Sequence, residues 1–228
     1  MIRILFQGDS ITDGNRYKDP AKRWDLNHQI GHSYVFQIAG ILGRRYIGKY
    51  CCINRGVSGD TVESISERWQ RDTLDENPDI LSLLLGINGN GKADGYYPEG
   101  TEEHLRNFDA GYRRLLDSVV TQNPDIRMIL IEPFVLPVES RKIHYADFFP
   151  VFQRKQKIIQ QIAEDYHAVW IPVQEKLQVL VEETERVGPH NLDPAAYWLW
   201  DGIHPTEAMH SLLADLWLEG AENILSQV

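Results

Sequence analysis

Five short apolar runs, each followed by a stretch of helical periodicity, constrain this chain more than any other feature. The runs are Ile2–Gly8, Tyr50–Arg55, Ile80–Gly86, Arg127–Pro133 and Ala168–Pro172. Helical patterns cover Ser33–Arg45, Val62–Arg71, Thr101–Gln122, Phe149–Tyr166, Val173–Glu185 and Thr206–Leu225. In the last of these, Met209, Leu212, Leu213, Leu216 and Trp217 recur at the spacing of a one-sided helix. Asn77-Pro78 and Asn123-Pro124 stop the preceding helices just ahead of the third and fourth runs. Strand alternating with helix predicts a parallel sheet covered on both faces. The expected fold class is therefore α/β, a three-layer α/β/α sandwich with a five-stranded parallel sheet in a flavodoxin-like arrangement. No repeat, low-complexity tract or linker divides the chain, so one domain over residues 1–228 is expected, a length sufficient for a single sizeable core.

Ligands of such sheets bind at the carboxyl ends of the strands. Chemistry is expected in the segments that follow them, and three read as loops: Ile87–Gly100 with its four glycines, Val135–Pro150, and the aromatic-rich Gly188–Trp200. A net charge of -10 repels polyanions, which argues against nucleic acid and anionic membrane surfaces as partners and favours a neutral or weakly charged small molecule. Cys51 and Cys52 stand side by side in a predicted strand, pointing to opposite faces. They read as buried thiols of a reducing compartment. No apolar run is long enough to span a membrane, and the opening residues are too short for a signal peptide, so a cytoplasmic location is expected.

Four clusters fall where strands end. Gly8-Asp9-Ser10 closes the first run, with Gly8 permitting a tight turn and Ser10 carried onto the sheet's carboxyl edge. A serine there is a nucleophile if a base reaches it; otherwise it caps a helix, or its loop cradles a phosphate. Asn54-Arg55-Gly56 closes the second, where the Gly56 amide can approach a developing oxyanion or merely complete a turn. Gly86-Ile87-Asn88 closes the third, offering the Asn88 side-chain amide as a neutral donor or as a turn asparagine. Asp201-Gly202-Ile203-His204-Pro205 precedes the last helix. An aspartate three residues before a histidine can fold back onto Nδ1, fixing the tautomer and leaving Nε2 as a base. Pro205 suits the first position of that helix. A metal site built from Asp201, His204 and His210 is the rival, but no paired-ligand spacing accompanies it, and none is expected. No stretch matches G-x-S-x-G, which leaves an ordinary α/β-hydrolase elbow unsupported.

These four blocks, in this order and bracketing almost the whole chain, resemble the SGNH hydrolases, also called GDSL esterases. The resemblance implies cofactor-free and metal-free acyl hydrolysis. In it, Ser10 is the nucleophile, Asp201 and His204 the base pair, and the Ser10 and Gly56 amides with the Asn88 side chain form the oxyanion hole. One departure is visible: Gly89 stands where the family commonly has an aspartate, so the loop after Asn88 must be held by other contacts. The stretches Ser66–Asp72, Ile131-Glu132-Pro133-Phe134 and Trp200-Asp201 look like those of bacterial carbohydrate acetylesterases of the intracellular acetylxylan esterase type. That likeness implies an acetylated saccharide as substrate and a homo-oligomer. Asp9, Trp24, Trp198 and Trp200 are the candidate substrate contacts, with packing or a subunit contact the alternative for each tryptophan. A lysophospholipase or thioesterase on the same scaffold, and a non-catalytic flavodoxin-like binding protein, are the competing functions.

Overall fold

The computed structural model describes residues 1–19, 26–88 and 102–226. Five strands form one parallel sheet: β1 (Ile2–Gly8), β2 (Tyr50–Asn54), β3 (Ile80–Leu84), β4 (Arg127–Ile131) and β5 (Val169–Ile171), in the order β2-β1-β3-β4-β5. Around them lie α1 (Ser10–Asp13), α2 (Leu26–Ile30), α3 (Tyr34–Arg45), α4 (Val62–Trp69), α5 (Glu102–Gln122), α6 (Glu139–Asp165), α7 (Gln174–Val187), α8 (Pro194–Trp198), α9 (Glu207–Gly220) and α10 (Glu222–Ser226).

Alternation along β1 divides the core. Ile4 and Phe6 face a cluster with Tyr34, Ile38 and Leu42 of α3, Leu177 of α7, and Met209, Leu213 and Trp217 of α9. Leu5 faces the other way, against Val62, Ile65 and Trp69 of α4, Tyr112 of α5, and Ile159 and Ile162 of α6. A strand buried on both sides reads as a continuous apolar run, which is why β1 and β3 were so plain in the sequence. Trp217 anchors the first layer: fully buried, it packs on Phe6 with ring centroids 5.3 Å apart and donates its indole N–H to Ser82 Oγ at 2.9 Å.

The register sets the site. Phe6 pairs with Asn54 on one side and Ser82 on the other, and Gly8 pairs with Leu84. The first residues beyond β1, β2 and β3 therefore emerge along one edge. The order reverses at β1, between β2 and β3, where open α/β sheets hold their ligands.

The elements depart from expectation in four places. Helix α6 begins ten residues earlier than its pattern suggested and runs through Pro150, so much of the expected Val135–Pro150 loop is helix. Stacked pairs Tyr145–Phe149 and Phe148–Phe152, with Phe148 and Phe152 buried, offset the backbone hydrogen bond that Pro150 cannot make. The expected Gly188–Trp200 loop contains α8, started by Asp193, whose carboxylate accepts the Ala195 and Ala196 amides. Pro205 is not in the final helix; Thr206 stands at its N-cap, and Pro205 pairs with Leu199 in an isolated bridge. Finally, Cys51 and Cys52 are free but only half-buried, because β2 is an edge strand. Burial pushes the Cys52 thiol up to about 12. No helix among the described residues is long and apolar enough to cross a membrane.

Candidate active site

Ser10 is placed by its neighbour. The Asp9 carboxylate accepts the Ile11 amide at 3.0 Å, capping α1, so that Ser10 is the first residue of that short helix at the carboxyl edge of β1. Asn54 locks the far end of α1: its Nδ2 donates to the Thr12 carbonyl at 2.7 Å and to the Ile30 carbonyl at 2.8 Å. Asp13 then reaches across to the segment after β2, accepting the Ser58 amide at 3.0 Å.

The other half of the site comes from the far end of the chain. Asp201 Oδ1 accepts the Ile203 and His204 amides at 3.0 and 2.8 Å, and its Oδ2 lies 2.7 Å from His204 Nδ1. Burial by itself would raise the Asp201 carboxyl, but the His204 ring and these two amides outweigh it and hold it at about 2. An ionised carboxylate only accepts, so Nδ1 carries the proton and Nε2 is left with its lone pair. That nitrogen lies 2.9 Å from Ser10 Oγ, across 194 positions of sequence. The hydroxyl accordingly donates to the imidazole. Trp200 stacks on the His204 ring, centroids 5.6 Å apart and 21° between planes.

The donors facing the serine are arranged differently from expectation. The Gly56 amide is occupied: it donates to Asn54 Oδ1 at 2.9 Å. Gly56 is needed for close approach instead, since a Cβ there would lie 2.5 Å from the Asp13 amide nitrogen. Three residues on, exposed Gly59 has φ +86, open space around its Cα and, among the described residues, no acceptor for its N–H. Asn88 is half-buried and donates one Nδ2 hydrogen to the Asp60 carbonyl at 3.2 Å, which orients the amide and leaves its second hydrogen available.

Of the expected substrate contacts among the described residues, Trp200 is the one that stacks on the His204 ring. Asp9 is 1% exposed and cannot touch a substrate. Burial pushes its carboxyl up to about 7, partly opposed by the Ile11 amide and His204, and its Oδ2 has no hydrogen-bond partner among the described residues. Trp198 packs against the core and donates its indole N–H to Thr184 Oγ1 at 3.0 Å. Trp24 and Gly89 lie outside the described residues. His210, the third member of the rival metal set, accepts the Tyr34 amide on Nδ1 at 3.1 Å, and burial lowers it to about 4.

Two positioning residues escaped the sequence reading. Arg68 on α4 bonds Asp60, Asp72, the Arg55 carbonyl and Gln7 Oε1, tying the segment after β2 to β1. A π-helical turn, Gln70–Leu74, follows α4 and brings the Asp72 carbonyl and Thr73 hydroxyl onto Gln7 Nε2. In the sequence Asn54 reads only as part of a turn, and nothing around it announces that four backbone groups, the Thr12, Asp13 and Ile30 carbonyls and the Gly56 amide, converge on its side chain.

Solved structures resemble this architecture. A Parabacteroides merdae protein described as a GDSL-like lipase superposes with TM-score 0.77 at 29% identity, covering 97% of this chain and 95% of its own. A variant of Axe2, an acetyl-xylooligosaccharide esterase from Geobacillus, gives TM-score 0.72 at 26% identity over 96% of this chain and 93% of that one. An acetylxylan esterase of Geobacillus stearothermophilus is 28% identical over 220 residues, 95% of this chain and 92% of its own length. With residues 6–212 matched, from β1 into α9, the chain belongs to the GDSL-like lipase/acylhydrolase family and is a carboxylic ester hydrolase.

Proposed function

We propose that this esterase removes short acyl groups, chiefly acetyl, from carbohydrates through a serine acyl-enzyme. The observation that carries the reading is the chain of contacts from Asp201 through His204 to the Ser10 hydroxyl, at 2.7 and 2.9 Å. Ser10 Oγ attacks the ester carbonyl as His204 Nε2 takes its proton, and the imidazolium then protonates the departing sugar alcohol. Asp201 stabilises that cation. Water repeats the sequence on the acyl-enzyme, releasing acetate and restoring the serine. The oxyanion is held by the Ser10 amide, the free Asn88 hydrogen and the unengaged Gly59 amide, the last taking the place expected of Gly56.

Support for acetyl-saccharide chemistry comes from the relatives. In Axe2 the serine, aspartate and histidine variants are described as catalytic mutants, with the aspartate and histidine three residues apart as here. Trp200, exposed and stacked on His204, offers a flat apolar face beside the bond to be cleaved.

The test has two arms. A fluorophosphonate adduct is expected on the tryptic peptide Ile4–Arg16, whose one serine is Ser10; stoichiometric labelling of another peptide would remove Ser10 from the mechanism. Acetate release from a panel of acetylated saccharides, with the Ser10→Ala protein as blank, then tests the substrate. Higher activity on long-chain nitrophenyl esters than on the acetate ester would point to a lipid or thioester substrate instead.

A further inference from the structure

Beside the segment that follows β2 lies a cavity of about 440 Å³ that the proposed chemistry does not use. Its walls include four cations, Arg16, Lys18, Arg55 and Arg71, against two carboxylates, Asp72 and Glu76. Both carboxylates are already taken. Glu76 accepts Arg55 at 2.5 Å and Arg3 at 2.6 Å, and Asp72 accepts Arg68 at 3.0 Å and Arg71 at 2.6 Å.

The unsatisfied groups are donors. Arg16 has a side chain only 5% exposed, and its Nε donates to the Gly56 carbonyl at 2.8 Å. Its terminal nitrogens, Nη1 and Nη2, make no hydrogen bond among the described residues. Burial, with Arg55 and Arg68 nearby, lowers this guanidinium to about 10 despite Asp13, so it stays charged at neutral pH while lacking full compensation. Gln29 also lines the cavity, and its Nε2 is buried without a partner among the described residues. A buried guanidinium with both NH2 groups open beside an unpaired amide is the donor set that recognises a planar or tetrahedral oxyanion, and the cations around it, Lys18, Arg55 and Arg71, are each paired with a carboxylate, Lys18 with Asp13 at 2.8 Å. Finding it in a chain of net charge -10 argues that the positive potential is local and built.

The geometry points to an anion-binding site in this cavity, in which the Arg16 guanidinium and Gln29 amide hold a carboxylate, sulfate or phosphate group, with Lys18 and Arg71 at its rim. Two sources supply that chemistry: a free mineral anion, or the acid group of a uronic-acid-bearing saccharide.

Isothermal titration of the full chain at constant ionic strength distinguishes them, using sodium phosphate, sodium sulfate and sodium glucuronate, with glucose as the neutral control. At least one oxyanion is expected to bind saturably with one site per chain in the millimolar range or tighter, and glucose is not. Binding of phosphate or sulfate alone identifies a mineral anion; binding of glucuronate with weaker or absent phosphate binding identifies an acidic sugar. Lys18→Gln with Arg71→Gln changes two exposed side chains at the rim and leaves the fold intact. This variant is expected to weaken the anion by at least about fivefold, within the range of exposed charge–charge contacts. Absence of saturable binding by all three anions, or an affinity unchanged in the double variant, would overturn the assignment.

Discussion

Single residues here often carry two obligations, and the sequence displays only one of them. Asn88 is the plainest case: one amide hydrogen goes to the Asp60 carbonyl, and the other is the one proposed to meet the oxyanion. Asn88→Ala should lower kcat on a small acetate ester by about 10²-fold with KM little changed. An unaltered kcat would take the residue out of the oxyanion hole. Asp9 carries a different pair of roles, capping α1 through one oxygen while the other is buried without a partner. Its ordinary pKa of 3.8 is raised to about 7, so between those values the unfolded chain has lost this proton and the folded protein still holds it. Stability is therefore lost as pH rises through that window. Asp9→Asn keeps the capping oxygen and removes the charge, so its melting temperature should gain on the native protein from pH 4 to 7 and hold that lead above. A gap independent of pH would show that Asp9 is not buried as an anion.

Whole elements were more legible than their junctions. Strands β1 and β3 could be read because burial on both faces fills them with apolar residues, Gln7 and Ser82 being the fully buried polar exceptions, and β1 ends where its pattern ends, at Gly8. The start of α6 could not: Pro150 ordinarily breaks a helix, and here the aromatics that flank it, stacked in pairs along the same helix, offset the break. Which glycine amide stays open is decided on a smaller scale, by a local turn in which the Gly56 amide donates to the Asn54 side chain two residues before it. Junctions between helices also carry a pH signature. His210 on α9 receives the N-terminal amide of α3, and its value falls from 6.5 to about 4 because burial disfavours the cation. As pH drops through 6.5 the unfolded chain takes up a proton here while the folded one refuses it, and stability falls until about pH 4. The loss is at most about 3 kcal/mol. His210→Asn supplies an acceptor that does not titrate, so urea melts should show a shallower acid slope; an identical slope would assign it to other groups.

At the scale of the molecule, the four sequence blocks were informative because each sits beyond a strand or before the last helix, and one sheet edge collects them. What no block reveals is the bracing behind that edge. Trp217 links α9 to both β1 and β3, through Phe6 and Ser82. Trp217→Ala should destabilise the protein by about 3–5 kcal/mol in denaturant melts, and loss of esterase activity should track loss of fold. A small change with cooperative unfolding retained would mean that the two helix layers are held elsewhere. The union of Ser10 with His204 also has a consequence in time. A ribosome adding about 5–20 residues each second needs about 10–40 s to pass from Ser10, the proposed nucleophile, to His204, its proposed base. Throughout that interval the serine is made but inert, so a nascent or prematurely released chain cannot attack the esters around it.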